Sequence, residues 1–140
     1  MSRRSEDPVD RKGQKTLEEV CAEVARKHRR YDPEAYLFVF ESLDHAIAKL
    51  GERRHLTGSE LSLAARDLAV ERFGFLARTV LEAWGVTRTD DFGEIVYHLI
   101  DDGVMSKTDE DKKSDFDGVY DFHEAFDLDY FKPSHEPPKP

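Results

Sequence analysis

The sequence predicts a mainly α protein, a compact helical bundle, and three observations carry that prediction. Between Thr57 and Gly103 the chain runs three times from a helix start through an apolar stripe to a glycine stop: Thr57 to Gly74, Phe75 to Gly85, and Thr89 to Gly103. Two Thr-x-x-Glu pairs, Thr16/Glu19 and Thr57/Glu60, have the spacing of a capping box. Apolar residues elsewhere recur at three- and four-residue intervals, the period of one helix face.

Residues 1–15 are charged, hold Pro8 and Gly13 and show no periodicity, so they read as a disordered tail. Thr16 opens the first helix, with Leu17, Val20, Cys21, Val24 and Ala25 on one face and the basic cluster Arg26–Arg30 at its end. Asp32-Pro33 starts the second, Asp as N-cap and Pro in the first turn, where a missing N–H costs nothing. Its stripe of Tyr36, Phe40, Leu43, Ile47 and Leu50 stops at Gly51. Leu37, Phe38 and Val39 make the first half apolar nearly all round, which places this helix at the centre or covers its second face.

Thr57 opens the third helix, which buries Leu61, Ala64, Ala65, Leu68 and Phe73. A fourth runs from Phe75 to Trp84 through Leu76, Val80 and Leu81, with Trp84 as a core anchor. Thr89-Asp90-Asp91 caps a fifth and sets negative charge against the helix dipole; Phe92, Ile95, Val96, Leu99 and Ile100 form its inner face. Beyond Gly103 two patterns compete. Val104-Met105 and Gly118-Val119-Tyr120 read as a C-terminal β-hairpin around the acidic loop Thr108–Asp117, while Val119, Phe122, Phe126 and Tyr130 stand at helical spacing. Hairpin and helix both stay open for residues 104–122. The Pro-rich stretch 132–140 is a second tail, leaving one helical domain over residues 16–131. With the hairpin formed, helices 57–73, 75–84 and 90–101 precede it in the order of a winged-helix fold.

Composition narrows the function classes. The single cysteine, Cys21, excludes an internal disulfide and reads as a small buried side chain in a reducing compartment. The longest apolar run, Ala35–Phe40, is far too short to span a bilayer, and the basic N-terminus lacks the apolar stretch of a signal peptide. A cytoplasmic protein with no membrane partner is expected. Residues 1–31 hold nine Lys and Arg against six Asp and Glu, whereas residues 101–140 hold five against twelve, and the chain carries −9 in all. Such a surface repels phosphate backbones, so nucleic-acid binding is disfavoured.

Motifs for chemistry are sparse. Residues 113–124 place Asp115, Asp117, Gly118 and Glu124 at positions of a calcium loop, but Lys113 stands where the first oxygen ligand belongs. His28, His45, His55, His98, His123 and His135 form no metal-binding pair, and His45 and His98 read as surface or boundary residues. No serine sits in a G-x-S-x-G elbow and no Gly-rich phosphate loop occurs. No catalytic, cofactor-binding or metal residue is therefore assigned, no cofactor is implied, and a non-enzyme is favoured.

The expected role is protein–protein interaction, as an adaptor or regulatory module that binds a partner protein or a second copy of itself. The candidate contacts are Phe116, Tyr120, Phe122 and Phe126, aromatic residues interleaved with acids in Asp115–Phe131, together with Arg26, Arg29 and Arg30. One alternative is a winged-helix-like regulator touching nucleic acid or ribonucleoprotein, although its wing would be acidic. The other is a metal-dependent protein or enzyme.

The strings His55-Leu-Thr-Gly-Ser-Glu-Leu, Phe73-Gly-Phe-Leu-Ala-Arg-Thr-Val-Leu-Glu-Ala-Trp-Gly and Asp91-Phe-Gly-Glu-Ile-Val stand out. With Ala35-Tyr-Leu-Phe-Val-Phe-Glu and Val119-Tyr-Asp-Phe-His-Glu-Ala-Phe, they make the chain resemble a family of small uncharacterised (hypothetical) proteins of planctomycetes and verrucomicrobia. The resemblance spans residues 16–127 and implies one bacterial domain. It carries over no catalytic or binding residue.

Overall fold

A computed structural model describes residues 2–3 and 15–127. The expected tail over 1–15 falls mostly outside the described residues, as do residues 128–131 of the expected domain and the tail 132–140.

Local hydrogen bonds start and stop the helices where the sequence punctuates them. Helix α1 (Leu17–His28) opens on the Thr16/Glu19 box: Glu19 N–H donates to Thr16 Oγ1 at 3.1 Å and Thr16 N–H to Glu19 Oε1 at 2.8 Å. Helix α2 (Pro33–Leu50) is capped by Asp32, which accepts the Glu34 N–H at 2.9 Å, and ends at Gly51 with φ +78°. Helix α3 (Gly58–Phe73) opens on the Thr57/Glu60 box and ends at Gly74. The next segment differs from the expected single helix over 75–84: Gly74–Leu76 form a 3₁₀ turn, and α4 covers only Ala77–Ala83. Helix α5 (Thr89–Asp101) follows. Among the described residues no helix is long and apolar enough to cross a membrane.

Helix α2 is central. It packs on α1, α3 and α5, and Tyr36, Phe38, Val39, Phe40 and Leu43 are all buried, as its all-round apolar first half requires. Trp84 is half-buried at the edge of the core, with its indole 5.6 Å from the Phe38 ring and 5.9 Å from Phe73. Cys21 is buried in the same core.

The stretch after Gly103 corrects the hairpin expectation and removes the wing. Met105–Ser106 (β2) pairs antiparallel with Ser2–Arg3 (β1), the start of the chain, and not with Gly118–Tyr120. The physical reason lies in side chains that compete with a ladder for backbone N–H groups. Asp111 accepts the Thr108 N–H at 2.8 Å and Asp115 accepts the Lys112 N–H at 3.0 Å, which folds the acidic loop into turns. Asp90 and Thr89 take the N–H groups of Gly118 and Val119 at 3.1 and 3.0 Å. A 3₁₀ turn, Lys113–Phe116, and a short helix α6, Phe122–Phe126, complete the segment.

Candidate functional site

Two grooves meet at the N-terminal end of α5. The larger, about 830 Å³, runs between Arg78 and Glu82 of α4 and the strip Gly118–Glu124, with Thr87–Asp90 at its base. The smaller, about 420 Å³, lies on the other side of Arg88 and Asp90 and is bounded by Arg30, Tyr31, Glu94, Lys113 and Asp117.

Asp91 is buried beneath the shared wall and accepts hydrogen bonds from both flanks. Its Oδ2 takes the backbone N–H of Thr87 at 2.9 Å and of Arg88 at 3.3 Å, and its Oδ1 takes the Tyr31 hydroxyl at 2.5 Å. Asp91, rather than the expected Thr89, thus caps α5, while the Thr89 hydroxyl donates to the Phe116 carbonyl at 2.7 Å. The Arg30 guanidinium lies 4.3 Å over the Tyr31 ring and reaches Asp91 at 3.4 Å. Burial, then the hydrogen bond to Asp91, raises the Tyr31 phenol well above its ordinary pKa, so it stays a donor.

Cations of the grooves are mostly tied to acids of the same chain. In the larger groove Arg78 binds Glu82 at 2.9 Å and Asp127 at 2.5 Å, and His123 Nδ1 lies 2.6 Å from the other oxygen of Asp127. The Arg78 hydrogen bond holds the Asp127 carboxyl below its ordinary value, helped by His123 and opposed by desolvation. In the smaller groove Lys113 Nζ bridges both oxygens of Glu94 at 3.0 Å. Asp117, Asp121 and Glu124 are exposed on the rims.

The sequence-derived contact residues divide. Phe116, Phe122 and Phe126 do not form a docking stripe: all three are buried in the core, Phe122 and Phe126 edge to face at 5.0 Å. Tyr120 is half-buried, and its hydroxyl donates to the Ser62 carbonyl at 2.8 Å. Tyr120 and Phe122 line the larger groove from below, and the exposed Asp121 and Glu124 form its rim. Arg26 and Arg29 are exposed at the end of α1, and only Arg30 reaches a groove. Arg30 and the strip 118–124 therefore come together on opposite sides of Arg88, a proximity no local pattern announces.

The calcium-loop alternative is also corrected. Residues 113–116 form a 3₁₀ turn, Asp115 accepts its own turn's N–H, and Asp117 and Glu124 line different grooves. Among the described residues no cluster of three or more His, Cys, Asp or Glu is placed to hold a metal ion.

Sequence reasoning missed a second polar cluster, where α1 crosses α2 and α5. His98, expected as a boundary residue, stacks on His28 and lies 2.7 Å through Nδ1 from the Tyr36 hydroxyl. Burial, then the field of Asp102, pushes the Tyr36 phenol up to about 12. The only signal was two histidines on apolar helices, too far apart in sequence to pair by inspection. Compared with protein-family models, curated proteins and solved structures, the chain matches none.

Proposed function

We propose that the protein is an interaction module that receives a basic segment of a partner protein in the groove between α4 and residues 118–124. The observation that carries this reading is the charge of that groove. Its two arginines are matched within the chain, Arg78 by Glu82 and Asp127 and Arg88 by Asp90 at 3.6 Å, so the exposed Asp121 and Glu124 leave its rim acidic. Cations of a partner then gain long-range steering and complementary contacts at one place. Phe75 and Leu76 add an apolar anchor: they are 63% and 55% exposed on the 3₁₀ turn against which α6 packs. Adjacent large apolar side chains open to water are the kind of surface that contacts a partner.

The test is affinity purification of the tagged full chain from its native host with nuclease treatment, beside the variants Glu124→Lys and Arg26→Glu/Arg29→Glu. A stoichiometric partner that survives nuclease, is retained by the arginine variant and is lost with Glu124→Lys supports the groove. Loss with the arginine variant alone moves the contact to the end of α1. Nucleic acid that disappears on nuclease treatment replaces the reading with a nucleic-acid one.

A further inference from the structure

The cluster between α1, α2 and α5 has a geometry suited to sensing protons. The His28 and His98 rings lie face to face, centroids 3.9 Å apart and planes within 7°. His28 Nε2 is 3.3 Å from Asp102, which also accepts from Lys27 Nζ at 2.9 Å. On the other side His98 Nδ1 meets the Tyr36 hydroxyl, and Tyr36 is fully buried.

This arrangement gives a proton on His98 little to balance it. The Asp102 carboxylate stands on the far side of His28 and is shared with Lys27. A proton on His98 would lie against the face of the His28 ring and beside a phenol that carries no charge to match it. The remaining charged and titratable groups around the pair come from every neighbouring element. Helix α1 supplies Lys27 and Cys21, the α1–α2 connection Arg30 and Tyr31, and α5 Glu94, Asp101 and Asp102. Of these acids Asp102 is already shared by Lys27 and His28.

We propose that the stacked pair His28–His98 is an acid-operated latch, which holds α1 on α2 and α5 while the His98 ring is neutral and releases it when His98 takes a proton. The sign follows from the environment of His98. Burial first, and His28 second, hold its imidazole below the ordinary 6.5, against the pull of Glu94, Asp101 and Asp102. An opened α1 frees His98 to take its proton at the ordinary value, so opening is favoured progressively as pH falls below 6.5. Release also disturbs the smaller groove, because Arg30 and Tyr31 follow directly on the end of α1.

The test needs no partner. The full chain, labelled in its histidine rings, is titrated from pH 7.5 to 5 by NMR while amide protection is followed in α1 and α3. The expected result is that His98 titrates below 6.5 and that α1 protection factors fall by up to about tenfold per pH unit for each proton taken up, while those of α3 hold. His98→Phe keeps a ring in the stack but takes no proton, and removes the fall in α1 protection over this range. His28→Gln removes the neighbouring imidazole and moves the His98 titration upward. Titration of His98 at its ordinary value, α1 protection unchanged to pH 5, or the same fall in α1 protection surviving in His98→Phe overturns the latch. Where a variant does not fold, the unmodified chain decides through the first two readouts.

Discussion

Tyr31 donates its hydroxyl to the buried carboxylate of Asp91 at 2.5 Å, across 60 residues of sequence. The bond ties the connection after α1 to the cap of α5, and Asp32 N–H reinforces it by donating to the Trp84 carbonyl at 3.1 Å. Removing the hydroxyl leaves a buried charge with one donor fewer. Tyr31→Phe is expected to cost about 1–3 kcal/mol, read as a lower urea midpoint with an unchanged slope. A loss below about 0.5 kcal/mol, the size of an ordinary surface change, contradicts this role.

Gly93 is the second test, because it sets helix propensity against packing. Phe116 is fully buried between two helix glycines. A Cβ at Gly93 of α5 would lie 3.0 Å from Phe116 Cβ, and one at Gly58 of α3 would lie 2.9 Å from its ring. Propensity alone predicts that Gly93→Ala gains about 1 kcal/mol. We expect instead a loss of about 1–3 kcal/mol from overpacking. Phe116→Ala removes the ring atoms Cγ and Cδ2 that such a Cβ would meet at 3.1 Å, so the double variant should lose less than the sum of the two single ones, which thermal or urea unfolding of all three measures as non-additivity.

Arg29 closes α1 in the left-handed region at φ +55° and ψ +43°, a conformation that strains any residue with a Cβ. Arg29→Gly should raise stability by about 1 kcal/mol. Arg29→Ala should give no such gain, since it removes the side chain but keeps the strain. Equal midpoints for the glycine and alanine variants in urea would sink the backbone explanation.

Glu60 sets part of the acid limb. The hydrogen bonds from Arg54, at 2.7 and 3.2 Å, and then the Thr57 N–H hold its carboxyl down to about 2, so it is deprotonated in the fold where the unfolded chain takes up a proton near 4.5. Its contribution is present above 4.5 and lost as pH falls toward 2. Both side chains are 39% exposed, so solvent screening limits it to less than about 1 kcal/mol. Glu60→Gln keeps an oxygen for the capping box, and its unfolding midpoint should fall less steeply between pH 5 and 2 than that of the unmodified chain. Parallel profiles would show that the ion pair does not contribute.

Much of the fold was legible because its signals act within one turn. Thr16, Asp32 and Thr57 cap the residues two to three places ahead of them, and Gly51 and Gly74 stop helices through their own backbone angles. The central position of α2 was legible too, since apolar residues all round a helix leave no face for water. The site was less so. Phe116, Phe122 and Phe126 were visible as a distinctive aromatic series, yet alternating acids and rings are compatible with either face turned outward. Asp91 could not be told from Thr89 as the cap of α5 without knowing that Tyr31 lies above it.

The sequence by itself determined where the helices α1, α2, α3 and α5 begin and end and that α2 is enclosed, because caps, glycine stops and apolar period are short-range properties. Only the tertiary structure decided that β2 pairs with the start of the chain, that Phe116 plugs the gap at Gly58 and Gly93, and that His28 meets His98. Each of those contacts joins residues that chain connectivity leaves far apart, and each depends on the packing of helices around α2. Competing side-chain bonds from Thr89, Asp90, Asp111 and Asp115 removed the N–H groups a hairpin needs, and burial of the aromatic rings then turned the acids of residues 117–124 outward to the grooves.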